Sequence, residues 1–184
     1  MRENTKIIIP NPERKRALFV VDMQEGFLNK RNKWIVPNIR KVIKEGGYTF
    51  VAEAVFHAEK GSLWEKQVDW TFPSQPTISE IKKLFPKNTL TVTKTTKSMF
   101  KGSKDLASIL RKTGIEEIHI VGVDTNDCVF ATAQESFDLG FFTYVLEECT
   151  ESSESAEIRD YALKILRHLR MTNHSPGVES KVVS

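Results

Sequence analysis

Cysteine is scarce in this chain: 184 residues carry only Cys128 and Cys149. Two cysteines do not make a disulfide framework. No apolar run is long enough to cross a bilayer, and the start does not read as a signal peptide, so no membrane association is expected. A reducing cytoplasm is the expected compartment, and there a lone cysteine stays a free thiol. Strong charge is also lacking. The net charge is +3, and the excess sits in short runs such as Arg14–Lys15–Arg16 and Lys30–Arg31, which read as solvated surface. No nucleic-acid partner is expected. Neither a GxGxxG run nor a Walker-type phosphate loop is present, so no nucleotide cofactor is expected. There is no internal repeat, low-complexity segment or interdomain linker. What remains is 40% hydrophobic and 28% charged residues, enough for one globular domain with a sizeable core.

The pattern along the chain alternates strands and helices. Residues 1–16 are polar and basic with Pro10 and Pro12 and read as a flexible arm, in which Ile7–Ile8–Ile9 has room to add an edge strand. Ala17 to Val21 is a buried strand ended by Asp22. Ile35, Ile39, Val42 and Ile43 share one helix face that stops at Gly46–Gly47. Thr49 to Phe56 is a second strand reaching His57. Residues 58–76 hold Trp64, Trp70 and Phe72 without a regular period and read as a long loop, the kind that often covers a site. Thr77-x-x-Glu80 fits a capping box for a short helix. Leu90 to Thr93 is a third strand, delivering Lys94, and Leu106, Ile109 and Leu110 mark a helix ending near Gly114. Ile118 to Val123 is a fourth strand. It is followed by the polar turn Asp124–Thr125–Asn126–Asp127 and by a helix opening on Cys128, in which Phe130 and Phe137 read as core. Phe142 to Leu146 is a fifth strand, and Ile158, Tyr161, Ala162, Ile165, Leu166 and Leu169 give an amphipathic last helix. Residues 171–184 form a tail with room for one short edge strand. The expected fold is α/β: a three-layer α/β/α sandwich on a mainly parallel, Rossmann-like sheet of five or six strands, with the domain over residues 17–170.

In such sheets the ligand lies beyond the carboxyl ends of the strands. Asp22, Lys94 and Cys128 all fall at those ends. A thiol on the first turn of a helix ionises more easily, and the free N–H groups there can hold a developing oxyanion. Asp22 can take the thiol proton and pass it to a leaving amine, while Lys94 holds both partners in place. The plainer alternatives are a packed structural cysteine and an ion pair at the sheet edge. His119 and Cys149 read as structural.

Three segments resemble the isochorismatase-like cysteine hydrolases, the superfamily that includes nicotinamidases and N-carbamoylsarcosine amidase. They are LFVVDMQEGF at 18–27, VTKTTKSMFKGSKDLASIL at 92–110 and GIEEIHIVGVDTNDCVFATAQESFDLGFFTYVLEE at 114–148. The resemblance implies that Asp22 is the acid/base, Lys94 the stabiliser and Cys128 the nucleophile. It also implies a cis peptide at Val123–Asp124, with the backbone N–H groups of Asp124 and Cys128 as the oxyanion hole. Phe27, His57, Phe100 and Gln24 are the candidate substrate contacts. Self-association as a dimer or tetramer is common in the superfamily, and the aromatic loop at 63–72 is a candidate surface for it.

The chain also departs from that pattern. Nicotinamidases hold a divalent metal through an aspartate and histidines after the second strand. Here that region offers His57 alone, with Glu59, Glu65 and Asp69 at no ligand spacing, so no metal and no other cofactor is expected. Asp124 stands where many relatives carry a small or uncharged residue, and its carboxylate is expected to turn away from the oxyanion hole. Glu148 replaces an aspartate common at the end of the fifth strand. The expected activity is cleavage of a C–N bond in a small amide or carbamoyl compound through a Cys128 thioester. The alternatives are a vinyl-ether hydrolase of the isochorismatase type and a catalytically silent binding domain of the same fold. A phosphoacceptor role for Asp22 would call for a second carboxylate beside it, which Asp22–Met23–Gln24 lacks.

Overall fold

The computed structural model describes residues 6–11, 13–178 and 180–183. Its strands are β1 (Ile7–Pro10), β2 (Arg16–Val21), β3 (Phe50–Phe56), β4 (Leu90–Lys94), β5 (Glu117–Gly122), β6 (Phe142–Thr150) and β7 (Ser180–Val183). Its helices are α1 (Ile35–Glu45), α2 (Leu63–Val68), α3 (Ser79–Lys82), α4 (Met99–Gly102), α5 (Leu106–Lys112), α6 (Cys128–Asp138) and α7 (Ala156–His168), with a single 3₁₀ turn at Glu25–Phe27. Five strands form one parallel sheet in the order β4-β3-β2-β5-β6.

The central strand shows why this sequence makes a covered sheet. All six residues of β2 are buried. Alternate side chains point to opposite faces: Ala17, Phe19 and Val21 join one core with residues of α4, α5, α6 and α7. Leu18 and Val20 join a second core with Ile35, Ile39 and Val42 of α1 and with Ile78 and Ile81. Three layers follow from that alternation, because each sheet face must be covered by an apolar helix face. Among the described residues no helix is long and apolar enough to cross a membrane.

Several expectations are corrected by packing. The segment read as a flexible arm contributes β1, which pairs antiparallel with β7 from the tail, Ile7 opposite Val183 and Pro10 opposite Ser180. Ile7 and Ile9 are buried in the second core. Covering two large apolar side chains offsets the entropy of ordering a short segment. The tail is also tied to β6, where Glu148 accepts hydrogen bonds from Asn173 (2.7 Å) and pairs with His174. The described residues before Arg16 and after Met171 therefore pack on the domain rather than trail from it. The long loop at 58–76 contains α2, capped by the Ser62 hydroxyl on Glu65 N–H. On α7 the buried arc, Ala162, Leu163 and Leu166, is narrower than the apolar one, and Tyr161, Ile165 and Leu169 face outward. Phe137, expected in the core, is 58% exposed near the end of α6.

Gly122 closes β5 where the strand must pass against β2. Its φ is +115°, and a Cβ there would lie 2.1 Å from the Val21 carbonyl oxygen. Only glycine permits this approach, and the approach brings the turn after β5 beside Asp22.

Candidate active site

Asp22, Lys94 and Cys128 come from the carboxyl ends of β2 and β4 and from the first turn of α6, and they meet at one point. Lys94 Nζ donates to Asp22 Oδ2 at 2.7 Å and to Cys128 Sγ at 3.2 Å. It also donates to the Thr96 carbonyl at 3.0 Å, and it sits 4.8 Å from the centre of the Phe56 ring. All three side chains are buried. Asp22 adopts a left-handed backbone conformation with φ +52°, a strained state that recurs at functional sites. Its second oxygen, Oδ1, is buried without a hydrogen-bond partner.

The electrostatics follow from burial. Desolvation pushes the Asp22 carboxyl above its ordinary value, with Lys94 opposing. Burial also pulls the Lys94 ammonium down, but the Asp22 carboxylate and the Cys128 sulfur outweigh it and hold the group above its ordinary value. The Cys128 thiol is pushed well above its ordinary value by burial and then by the Asp22 charge, against Lys94. The thiol is thus not made acidic by its helix position, as its place in the sequence suggests. A helix end supplies about 0.3–1 kcal/mol, less than the desolvation of a thiolate in so closed a place. Burial and the Asp22 charge thus favour the neutral thiol over the thiolate.

The turn between β5 and α6 has its own supports. The Val123–Asp124 peptide is cis. Val129 N–H bonds the Asp124 carbonyl at 3.1 Å, and Thr125 N–H bonds the Glu151 carbonyl at 3.1 Å. Among the described residues the backbone N–H groups of Asp124 and Cys128 donate to no other backbone group. The Asp124 carboxylate turns to the loop after β6, where it accepts from Ser153 N–H (2.7 Å) and Ser153 Oγ (2.6 Å).

Above the three groups opens a cleft of about 1260 Å³ walled by Phe27, Phe56, Trp64 and Trp70. Phe27 stacks on Phe72 at 4.1 Å, and Trp70 stacks on Phe56 at 5.7 Å. Trp64 is pinned by its indole N–H to the Thr95 carbonyl at 2.7 Å. The loop aromatics at 64, 70 and 72 therefore pack together beside this cleft, and Leu63 and Val68, the exposed large apolar residues of that loop, line it too.

Of the four expected substrate contacts, only Phe27 lines the cleft. Gln24 is fully buried and acts as a brace: its amide N–H₂ donates to the Phe56 and Gln75 carbonyls, and its Oε1 accepts from Phe56 N–H. Phe100 lies in the first core, 5.6 Å from Phe19 and 6.4 Å from Phe141. His57 lies outside the cleft wall and pairs with Glu59 at 3.5 Å. Phe56 was legible as a wall residue by the rule that found Lys94, since it ends a strand on the same rim. Asn126, Lys97 and Asp127, also in the wall, carried no signal beyond their nearness to Cys128 and Lys94.

The metal expected of nicotinamidases finds no donor set here. Among the described residues no three His, Cys, Asp or Glu side chains gather as ligands, and the histidine at the end of β3 is turned to Glu59.

The Isochorismatase domain profile matches residues 16–174. The chain belongs to the isochorismatase family. An uncharacterised isochorismatase family protein of Bacillus subtilis, YrdC, is 30% identical over 146 residues, 75% of this chain and 74% of that one. Among solved structures, the pyrazinamidase/nicotinamidase of Streptococcus mutans superposes with a TM-score of 0.74 at 20% identity, covering 86% of this chain and 98% of that one. The N-carbamoylsarcosine amidase of Thermoplasma acidophilum superposes with a TM-score of 0.68 at 24% identity, covering 82% and 92%. At these identities the likeness establishes a shared α/β fold.

Proposed function

We propose that this isochorismatase-family protein is a metal-independent cysteine hydrolase that cleaves the C–N bond of a small amide or carbamoyl compound. The observation that carries the reading is the single ammonium of Lys94 within hydrogen-bond reach of both Asp22 and Cys128 at the floor of an aromatic cleft. The thiol enters the reaction protonated. As Sγ bonds to the substrate carbonyl carbon, its proton passes to Asp22, whose Oδ1 is free to receive it. The upward push of burial on the Asp22 carboxyl suits this exchange, because it makes the carboxylate a better base than an exposed one. The carbonyl oxygen becomes an oxyanion held by the N–H groups of Asp124 and Cys128. The C–N bond then breaks, Asp22 returns the proton to the departing nitrogen, and a thioester remains on Cys128. Water attacks the thioester carbonyl, Asp22 accepts its proton, the C–S bond breaks, and the proton goes back to sulfur. Lys94 stays charged throughout and holds the acid against the thiol.

The test is ammonia or amine release from a panel of small primary amides and N-carbamoyl compounds, in the wild type and in Cys128→Ala. The reading expects release by the wild type, acylation of Cys128 in quenched samples by mass spectrometry, and loss of both in the variant. Release that survives Cys128→Ala, or a panel that neither reacts nor acylates Cys128, overturns it.

A further inference from the structure

Apart from the two backbone N–H groups of the oxyanion hole, the buried side-chain atoms that the cleft wall leaves without partners are acceptors. Asp22 Oδ1 and Asn126 Oδ1 are buried without partners, and both residues line the cleft. Lys97 in its wall and Lys94 beneath it are both already engaged. Lys94 is held by Asp22, and Lys97 Nζ lies 2.5 Å from Asp127 Oδ1. The remaining ionisable wall residues are Asp69, Asp124 and Glu154, all acidic, and among the described residues no arginine or histidine joins them. Asp69 and Glu154 are exposed at the mouth. The same cleft is walled by Phe27, Trp64 and Trp70.

A charged substrate entering such a cleft meets a field that low-dielectric walls focus. An anion finds no free cation to replace its water, and burying it unpaired is costly. A cation finds carboxylates at the mouth and the rings of Phe27 and Trp70 along the wall, Phe56 and Trp64 already facing Lys94 and Lys97, and aromatic faces attract organic cations. An amide N–H₂ finds open acceptors at the floor.

We propose that the cleft selects cationic amides: small compounds whose scissile carbonyl–nitrogen bond sits on an apolar or flat frame bearing a positive group, with carboxylate-bearing compounds excluded. This rests on the hydrolase reading for the reaction, but the charge selection is read independently of turnover.

The probe is a set of methanethiosulfonate reagents of one reaction type and similar size, carrying an ethylammonium, a methyl or an ethylsulfonate group. Each exchanges with the Cys128 thiolate, and Cys149, fully buried, is followed separately by peptide mapping. Dividing each rate by that of 2-mercaptoethanol removes the reagent's own reactivity, and comparing reagents cancels the thiol's ionisation. The normalised rate at Cys128 is expected to be about tenfold or more higher for the ammonium reagent than for the sulfonate at low salt. That ratio is expected to shrink in 0.5 M salt, on the order of several-fold, and in Asp69→Asn/Glu154→Gln. A wild-type ratio at or below one overturns the proposal whatever the variants do. A matched series of benzamides bearing para trimethylammonium, methyl or carboxylate groups gives the second arm, with kcat/KM expected to fall in that order. Hydrolysis in which the carboxylate is the best substrate overturns this proposal and leaves the hydrolase reading standing. Ammonium-selective labelling with no hydrolysis of any benzamide or panel amide overturns the hydrolase reading and leaves the charge selection standing.

Discussion

Replacing Lys94 with methionine isolates the contact on which the site depends. The side-chain volume is nearly kept, so the core need not collapse, but Asp22 loses its cation. Lys94 and Asp22 are both almost wholly buried and 2.7 Å apart. At an effective dielectric of about 20, Coulomb's law gives roughly 6 kcal/mol as a ceiling for such a pair. Breaking a buried pair by removing one partner costs about 3–5 kcal/mol, because the other charge is left without compensation. The cost depends on pH, and its sign is fixed. Burial already raises the Asp22 carboxyl in the folded wild type, and Lys94 opposes that rise, so the variant raises it further. A carboxyl raised on folding contributes stability at pH below its unfolded value, and that contribution is lost as pH climbs through the folded value. With the folded value higher still in Lys94→Met, the loss extends over a wider span of rising pH. The gap between wild type and variant should therefore be small near pH 4 and grow to about 3–5 kcal/mol by pH 8, read by urea unfolding at each pH. A gap under about 1 kcal/mol at pH 8, or one that does not change with pH, would refute the paired, buried geometry.

Phe100→Ala should cost about 3–5 kcal/mol of stability by emptying a core site, with KM for any accepted substrate unchanged. Phe27→Ala, in the cleft wall, should instead raise KM at a smaller cost in stability; equilibrium unfolding and steady-state kinetics on the two variants separate these roles, and a KM effect confined to Phe100 would reverse the assignment. Gly122→Ala must place a Cβ against the Val21 carbonyl at a φ that L-residues avoid. It should cost several kcal/mol and lower activity in whatever fraction still folds, and a variant with wild-type unfolding behaviour would contradict the close approach of β5 to β2.

The layered fold was legible because its signals are local. The all-buried β2 and the helix-spaced face of α1 each write their burial into residue order, and strand ends then locate Asp22, Lys94 and Cys128 without coordinates. What escaped was set by tertiary packing. Nothing near Ile7 says that the partner of β1 lies at residues 180–183, at the far end of the chain. Gln24 and Phe100 stand beside catalytic motifs in sequence, yet one braces three backbone groups and the other fills the core. Proximity along the chain does not fix which way a side chain turns. The ionisation of the thiol was misread for a related reason. The helix start and Lys94 are visible in sequence, whereas the degree of burial that outweighs them is a property of the assembled site.

Asp22, Lys94 and Cys128 should titrate as one unit. The measurement is the rate of Cys128 alkylation by iodoacetamide across pH, in the wild type and in Asp22→Asn. In the wild type, burial and the Asp22 charge hold the thiol above its ordinary value, so the rate should rise only in alkaline solution. Removing that charge leaves Lys94 beside the sulfur unopposed, and the whole curve should move to lower pH. A wild-type curve like that of a free thiol, left in place by Asp22→Asn, would contradict the coupling.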